Sequence, residues 1–195
     1  MATDFTQGLE LASERLAELA GNLPTPVVLI DGRAGSGKSL FASRLGDSYF
    51  QTSRQAARIV RLDDLYPGWE GLIAGSLYLR EKILEPLASG RPASWQIWNW
   101  ELGGRGAPSE PGNGFREFGG GTPFIVEGCG ALSKAAVENA NLTIWIEADT
   151  AARRKRFSER DGGAFDEFWG VWAAQEDEFY LAENSSELAE LVIQN

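Results

Sequence analysis

The sequence predicts an α/β protein of three layers, a parallel sheet with helices on both faces. Three observations carry that prediction. Short apolar runs recur at 27–30, 57–62, 123–127, 142–146 and 191–193. Most of these runs are too apolar to have a wet face, so the strands they form are covered on both sides. Helical patterns separate them, the strand–helix alternation of a parallel sheet. Finally, a glycine-rich loop, Gly32-Arg33-Ala34-Gly35-Ser36-Gly37-Lys38-Ser39, joins the first run to a helix beginning Leu40-Phe41-Ala42. The 195 residues suit one domain spanning 1–195. An apolar fraction of 43% and a charged fraction of 24% are those of an ordinary globule with a core.

Residues 1–22 form an N-terminal helix in this reading, amphipathic through Phe5, Leu9, Leu11, Leu16 and Leu19 and ended by Gly21-Asn22. The first residues carry neither a basic segment nor an apolar one, so no leader is expected. Pro24-Thr25-Pro26 leads into the first strand, Val27-Val28-Leu29-Ile30. The helix after the glycine loop runs to about Leu45, and the second strand is Ala57–Leu62. A helix over about 70–88 stops at Ser89-Gly90-Arg91-Pro92. Residues 92–121 are rich in Gly, Pro and Trp, including Pro108 and Pro111, and read as short strands or a long loop. The third strand ends at Glu127 and the fourth covers Leu142–Ile146. A basic helix over 150–160, a helical stretch over 164–183 and a short strand at Leu191–Ile193 complete the chain.

Composition excludes several chemistries. There is no histidine, so no His general base, Ser-His-Asp triad or His metal ligand exists. Cys129 is the single cysteine, which rules out a disulfide framework and fits a reducing cytoplasm. Any metal must be held by oxygen, the Mg²⁺ pattern. The net charge of −10 argues against a nucleic-acid surface. No apolar run approaches the roughly 20 residues of a membrane span.

The loop at 32–39 matches G-x-x-x-x-G-K-[ST] in the strand–loop–helix context that motif requires. Its glycines let amide groups turn toward phosphate oxygens, and the helix N-terminus adds positive potential. Lys38 can reach the β- and γ-phosphates and the Ser39 hydroxyl can bind Mg²⁺. Asp63 and Asp64 follow the second strand, where a parallel sheet places its ligands. One could accept the proton of an attacking hydroxyl and either could orient Mg²⁺-bound water, though Asp-Asp also caps helices. Glu127 ends the third strand among apolar residues; it wants a charged partner if buried, and is otherwise a surface carboxylate. Arg153, Arg156 and Arg160 share one helix face in the only dense basic cluster of an acidic chain. Such a face can clamp phosphoryl oxygens, or be a solvated basic face.

In these four segments the chain resembles the uridine kinase branch of the phosphate-loop kinases, the group that includes phosphoribulokinase and bacterial pantothenate kinase. The block from Arg153 to Asp161 fits its lid pattern R-x-x-R-x-x-x-R-D, and the similarity spans about residues 25–193. The resemblance implies a phosphate-loop NTPase fold with five parallel strands in the order 2-3-1-4-5 and a small helical lid over 150–183. It implies ATP held by Gly32, Ala34, Gly35, Ser36, Gly37, Lys38, Ser39 and Leu40, and Mg²⁺ held by Ser39 and Glu127. Catalysis falls to Lys38, Asp63 as general base, Arg156 and Arg160. The acceptor meets Asp63, Tyr66, Arg153 and, within the acceptor-side segment 92–121, Trp98 and Trp100.

The expected activity is transfer of the γ-phosphoryl of Mg-ATP to a hydroxyl of a nucleoside-like or other small metabolite, in a cytoplasmic monomer or homodimer without nucleic-acid or membrane partners. Pantothenate or a sugar as acceptor, or a regulatory NTPase without an acceptor, are the alternatives. The chain departs from the nucleoside kinases in three places. It lacks their histidine near the base, has Asp-Asp-Leu-Tyr where they have Asp-Ser-Phe-Tyr, and has Trp98-Asn99-Trp100 where they have Tyr-Asp. Trp95, Trp98 and Trp100 read equally as pocket or as the core side of an edge strand, and Trp69, Trp169 and Trp172 as packing residues.

Overall fold

The structure is a computed structural model that describes residues 3–106 and 114–195; Met1, Ala2, Pro108 and Pro111 lie outside the described residues. Its elements in chain order are β1 (Thr3–Asp4), α1 (Phe5–Asn22), β2 (Val27–Asp31), α2 (Lys38–Ser53), β3 (Arg58–Arg61) and α3 (Leu72–Leu79). A π-helical turn, Arg80–Leu84, joins α3 to α4 (Glu85–Ala88). There follow β4 (Ala93–Gln96), β5 (Phe115–Phe118), β6 (Phe124–Glu127), α5 (Lys134–Val137), β7 (Leu142–Glu147), α6 (Thr150–Arg160), α7 (Trp169–Glu183) and β8 (Leu191–Gln194).

The main sheet has six strands in the order β1-β8-β7-β2-β6-β3, all parallel. Five strands in the order 2-3-1-4-5 were expected; the sheet has six, so the count and the full order change, while the five expected strands keep their relative order as β3-β6-β2-β7-β8. The added strand is β1, which pairs Thr3 with Ile193 and Asp4 with Gln194 at the edge. Two residues without an apolar side chain pair through backbone alone, and hydrophobic periodicity carries no trace of that. Asp4 also caps α1, accepting from Thr6 N and Gln7 N at 3.0 Å each.

The three layers follow from the alternation of β2. Val28 and Ile30 face α1 and α2, packing with Leu16, Phe41 and Leu45. Val27 and Leu29 face the other way, into a core with Leu72, Leu79 and Phe179 from α3 and α7. Because β2, β3, β6 and β7 are parallel, their carboxyl ends open on one edge of the sheet, where ligands of such sheets bind.

The segment rich in Gly and Trp supplies a separate two-stranded antiparallel sheet, β4 with β5. Trp95 there is buried, edge-on to Phe124 at 6.2 Å between centroids. The helix expected over 164–183 begins instead with a 3₁₀ turn at Asp166–Phe168, and α7 starts at Trp169. No helix among the described residues is long and apolar enough to cross a membrane.

Candidate active site

The glycine loop leaves β2 and closes on the N-terminus of α2, with Gly32, Gly35 and Gly37 at φ of 145°, 77° and 105°. Only glycine adopts such angles without strain. A side chain would also collide with the Ile146 carbonyl at Gly32 and with the Arg153 carbonyl at Gly35. Lys38 folds back along the loop, donating to the carbonyls of Gly32 at 2.8 Å and Arg33 at 3.0 Å. Its Nζ also lies 3.4 Å from Cys129 Sγ. Burial disfavours the ammonium, but Cys129 and the carboxylates Glu127, Glu176 and Asp31 outweigh that and raise its pKa.

A buried polar layer holds the loop from behind. Glu176 on α7 accepts the Ala34 amide at 2.6 Å and faces Arg33 at 3.6 Å and Arg153 at 4.0 Å. Asp31 accepts from the amides of Gly32, Gly130 and Leu132 and from the Tyr180 hydroxyl at 2.6–3.1 Å. Its full burial raises its pKa to about 6 against those bonds. Asn195 donates to the Ser36 carbonyl at 2.7 Å. Sequence reading missed Glu176, Asp31 and Asn195. A lone Glu in a helix full of acids has no signature, whereas an Asp at the end of an all-buried strand was a usable signal.

One cavity of ≈ 710 Å³ is lined by Ala34, Gly35, Gly37, Lys38, Ser39 and Leu40 on one side and by Asp63, Tyr66, Trp69, Trp100 and Glu101 on the other. Glu127, Cys129, Arg156, Phe157, Arg160, Phe165 and Trp172 complete its lining. Gly32 and Ser36 lie behind the loop, buried. Asp63 sits in the 3₁₀ turn after β3, its carboxylate 3.5 Å from the Arg160 guanidinium. Asp64 points into a second cavity of ≈ 290 Å³, which also touches Ser39 and Glu127. Burial, then the Asp63 charge, raises the pKa of Asp64. Glu127 is 4% exposed, with Arg61 at 3.8 Å. Burial raises its pKa, while Lys38, Ser39 and Arg61 counteract that.

The three arginines part company. Arg156 reaches the Gly35 carbonyl at 3.3 Å, and both it and Arg160 line the cavity. Arg153, expected to touch the acceptor, is buried instead. It donates to the carbonyls of Ala148 and Ala34 and to Thr150 Oγ1 at 3.2–3.3 Å, so it braces the loop. Helical spacing put the three on one face, but that face is buried at Arg153 and opens on the cavity at Arg156 and Arg160.

Trp98, also expected at the acceptor, is outside the cavity lining; its backbone amide donates to the Asp64 carbonyl at 2.7 Å and its ring lies under Arg105. Trp100 lines the cavity, 41% exposed, with its indole N–H on the Asp63 carbonyl at 2.9 Å. Tyr66 lines it through its ring, the hydroxyl being bonded to the Cys129 carbonyl at 2.7 Å. Trp69 and Trp172, read as packing residues, are part of the wall. Trp69 stacks on Phe168 at 4.5 Å and touches Trp100, Phe165 and Trp172 at 5.2–6.2 Å. Trp169 packs on Phe157.

No protein-family model and no curated protein matches the sequence. Solved structures do match. One is described as a possible uridine kinase from Bacillus stearothermophilus, with a TM-score of 0.61 and 14% identity over 95% of this chain and 98% of that one. Another, from Silicibacter sp. TM1040, is described as a "putative fructose transport system kinase", with a TM-score of 0.58 and 19% identity over 95% and 98%. At these identities the likeness is one of fold: the chain shares the three-layer α/β/α fold of these two structures.

Proposed function

We propose that this chain is an ATP-dependent small-molecule kinase, and that the fold it shares with those proteins carries the same class of chemistry. The observation that supports this most is that the loop lysine, two arginines, a strand-end carboxylate and Asp63 meet in one cavity. A nucleotide switch needs the first of these and has no use for the last.

In this reading the amides of the loop and the N-terminus of α2 hold the ATP phosphates. Lys38 leaves the carbonyls of Gly32 and Arg33 for the β- and γ-phosphates. The acceptor hydroxyl gives its proton to Asp63 as its oxygen attacks the γ-phosphorus; the bond to the ADP oxygen breaks, and ADP carries that electron pair away. Arg156 and Arg160 neutralise the oxygens of the transferring group, Arg160 turning from Asp63 toward them. Closure of α6 over the cavity excludes the water that would otherwise take the phosphoryl group.

The donors around Ser39 suit Mg²⁺. They are oxygen only, and among the described residues no cluster of three or more acids, Cys or His could hold an ion alone. Mg²⁺ in such sites takes one or two protein oxygens plus substrate phosphates and waters. Ser39 and the buried Glu127 would hold it, and when bound it supplies charge neutralisation at the phosphates. The partner in this reading is a small acceptor, in the cytoplasm, with the protein a monomer or homodimer.

The test is ADP release in the presence of candidate hydroxyl compounds. Stimulation by an acceptor, with one phosphorylated product per ADP, bears the proposal out. ADP release that no acceptor changes would turn it toward a regulatory NTPase.

A further inference from the structure

The acceptor side of the cavity has an unusual economy of hydrogen bonds. Its surface is made chiefly of rings: Tyr66, Trp69, Trp100, Phe165 and Trp172. Three of these could offer a polar atom and do not, because each is engaged within the protein. The Tyr66 hydroxyl is on the Cys129 carbonyl, the Trp100 N–H is on the Asp63 carbonyl, and the Trp172 indole bonds Cys129. Asp63 is reserved for the reacting hydroxyl. Arg160, paired with Asp63, is given to the phosphates in that reading; among the described residues, that leaves the Glu101 carboxylate and the Trp69 N–H as the wall's remaining side-chain polar groups.

A sugar or other polyol entering this wall would lose water from each hydroxyl and find few partners in exchange. Buried hydroxyls without partners are costly, and sites that bind polyols supply convergent polar side chains. Ring faces, by contrast, reward apolar carbon and flat rings. The Trp100 ring is partly open to the cavity and tilted by 56° against Trp69 at 5.2 Å, so its face can receive a second ring.

We infer that the acceptor is an alcohol carried on an apolar or aromatic body, not a polyol, with Trp100 as the residue that selects it. This rests on the kinase reading above. One hydroxyl lies at Asp63, the body lies against Trp100 and Trp69, and Glu101 at the rim takes at most one further donor.

The experiment measures two things separately on the whole chain. Binding is read as tryptophan fluorescence quenching by benzyl alcohol and phenethyl alcohol on one hand and by ribose and glycerol on the other. Transfer is read as acceptor-stimulated ADP release with the same compounds. The expected result is quenching by the aromatic alcohols and a kcat/KM at least about tenfold above that of any polyol, roughly one added aromatic contact in free energy. Trp100→Ala then raises the KM for phenethyl alcohol about tenfold with a smaller change in kcat, the pattern of lost ground-state binding. Aromatic alcohols that quench without being phosphorylated support the ring wall and sink the kinase. A polyol phosphorylated as well as or better than the aromatic alcohols keeps the kinase and overturns the inference. Absence of quenching by every aromatic alcohol overturns it too.

Discussion

The two walls of the cavity are built on opposite terms. On the phosphate wall, nearly every polar group is held by another polar group: Lys38 by two loop carbonyls, the Ala34 amide by Glu176, the Ser36 carbonyl by Asn195. On the acceptor wall, rings meet rings, and the polar atoms that exist turn back into the protein. A phosphate has fixed geometry and charge, so a prearranged cage of donors serves it. An acceptor differs from enzyme to enzyme, and a wall of carbon can be reshaped without disturbing that cage.

The sharpest way to break the comparison is at its most specific cation. Lys38→Ala removes the charge that the phosphate wall keeps buried and aligned. Loss of one such electrostatic contact costs about 10³-fold in turnover, read as ADP release under saturating acceptor. A variant that kept a tenth of the wild-type rate would mean that the loop amides suffice.

Stability separates the walls next. Glu176→Ala leaves the Ala34 amide, Arg33 and Arg153 without their shared carboxylate in a site that is 1% exposed. Breaking a buried ionic network by removing one partner costs about 3–5 kcal/mol. Trp100→Ala removes a half-open ring and costs less, about 1 kcal/mol, the middle of the ordinary range. Urea unfolding of both variants measures the difference, and equal losses would erase the distinction between a braced wall and a replaceable one.

This contrast also explains what the sequence made legible. The phosphate loop, Asp63 and Glu127 are read from short spacings at strand ends, because each lies within a few residues of the element that positions it. Arg153, by contrast, shares its helix face with Arg156 and Arg160 yet is buried against Ala34 and Ala148. Periodicity fixes a direction around the helix axis, not the depth of the surface beneath it. Trp69 and Trp172 looked like packing residues and are packed, but at the border of a cavity that forms only when residues 63–69, 100–101, 157–172 and the loop converge. No local pattern encodes that convergence. The edge strand β1 was hidden for a different reason, since it adds backbone pairing with no apolar signal.

A third distinction is proton linkage beneath the phosphate wall. Asp31 titrates at about 6 in the folded protein against 3.8 in the open chain. Because the folded value is the higher one, its contribution to stability is fully present below about pH 3.8 and is lost as pH rises through about 6. The loss is about 3 kcal/mol, from roughly two pKa units at 1.36 kcal/mol each. Glu127 and Asp64, also raised, slope the same way. Unfolding free energies measured between pH 4 and pH 6.5 for wild type and Asp31→Asn isolate the group. The variant is less stable throughout but lacks that share of the slope; parallel curves would show that Asp31 keeps its charge at a normal value.

The smallest change falls on the seam between the walls. Asp63 belongs to the acceptor side by position and to the chemistry by charge, and its carboxylate faces Arg160 at 3.5 Å. Asp63→Asn keeps the shape and removes the base. Since Asp63 bonds to no residue of the loop, ATP affinity measured by titration of the acceptor-free protein holds near the wild-type value. The kcat for transfer falls about 10²-fold, the usual share of a general base and roughly 2.7 kcal/mol of barrier. A fall in ATP affinity instead would mean that the Asp63–Arg160 pair helps to shape the phosphate wall. The two halves would then be one coupled site, and the acceptor wall could not be remodelled independently of the donor cage.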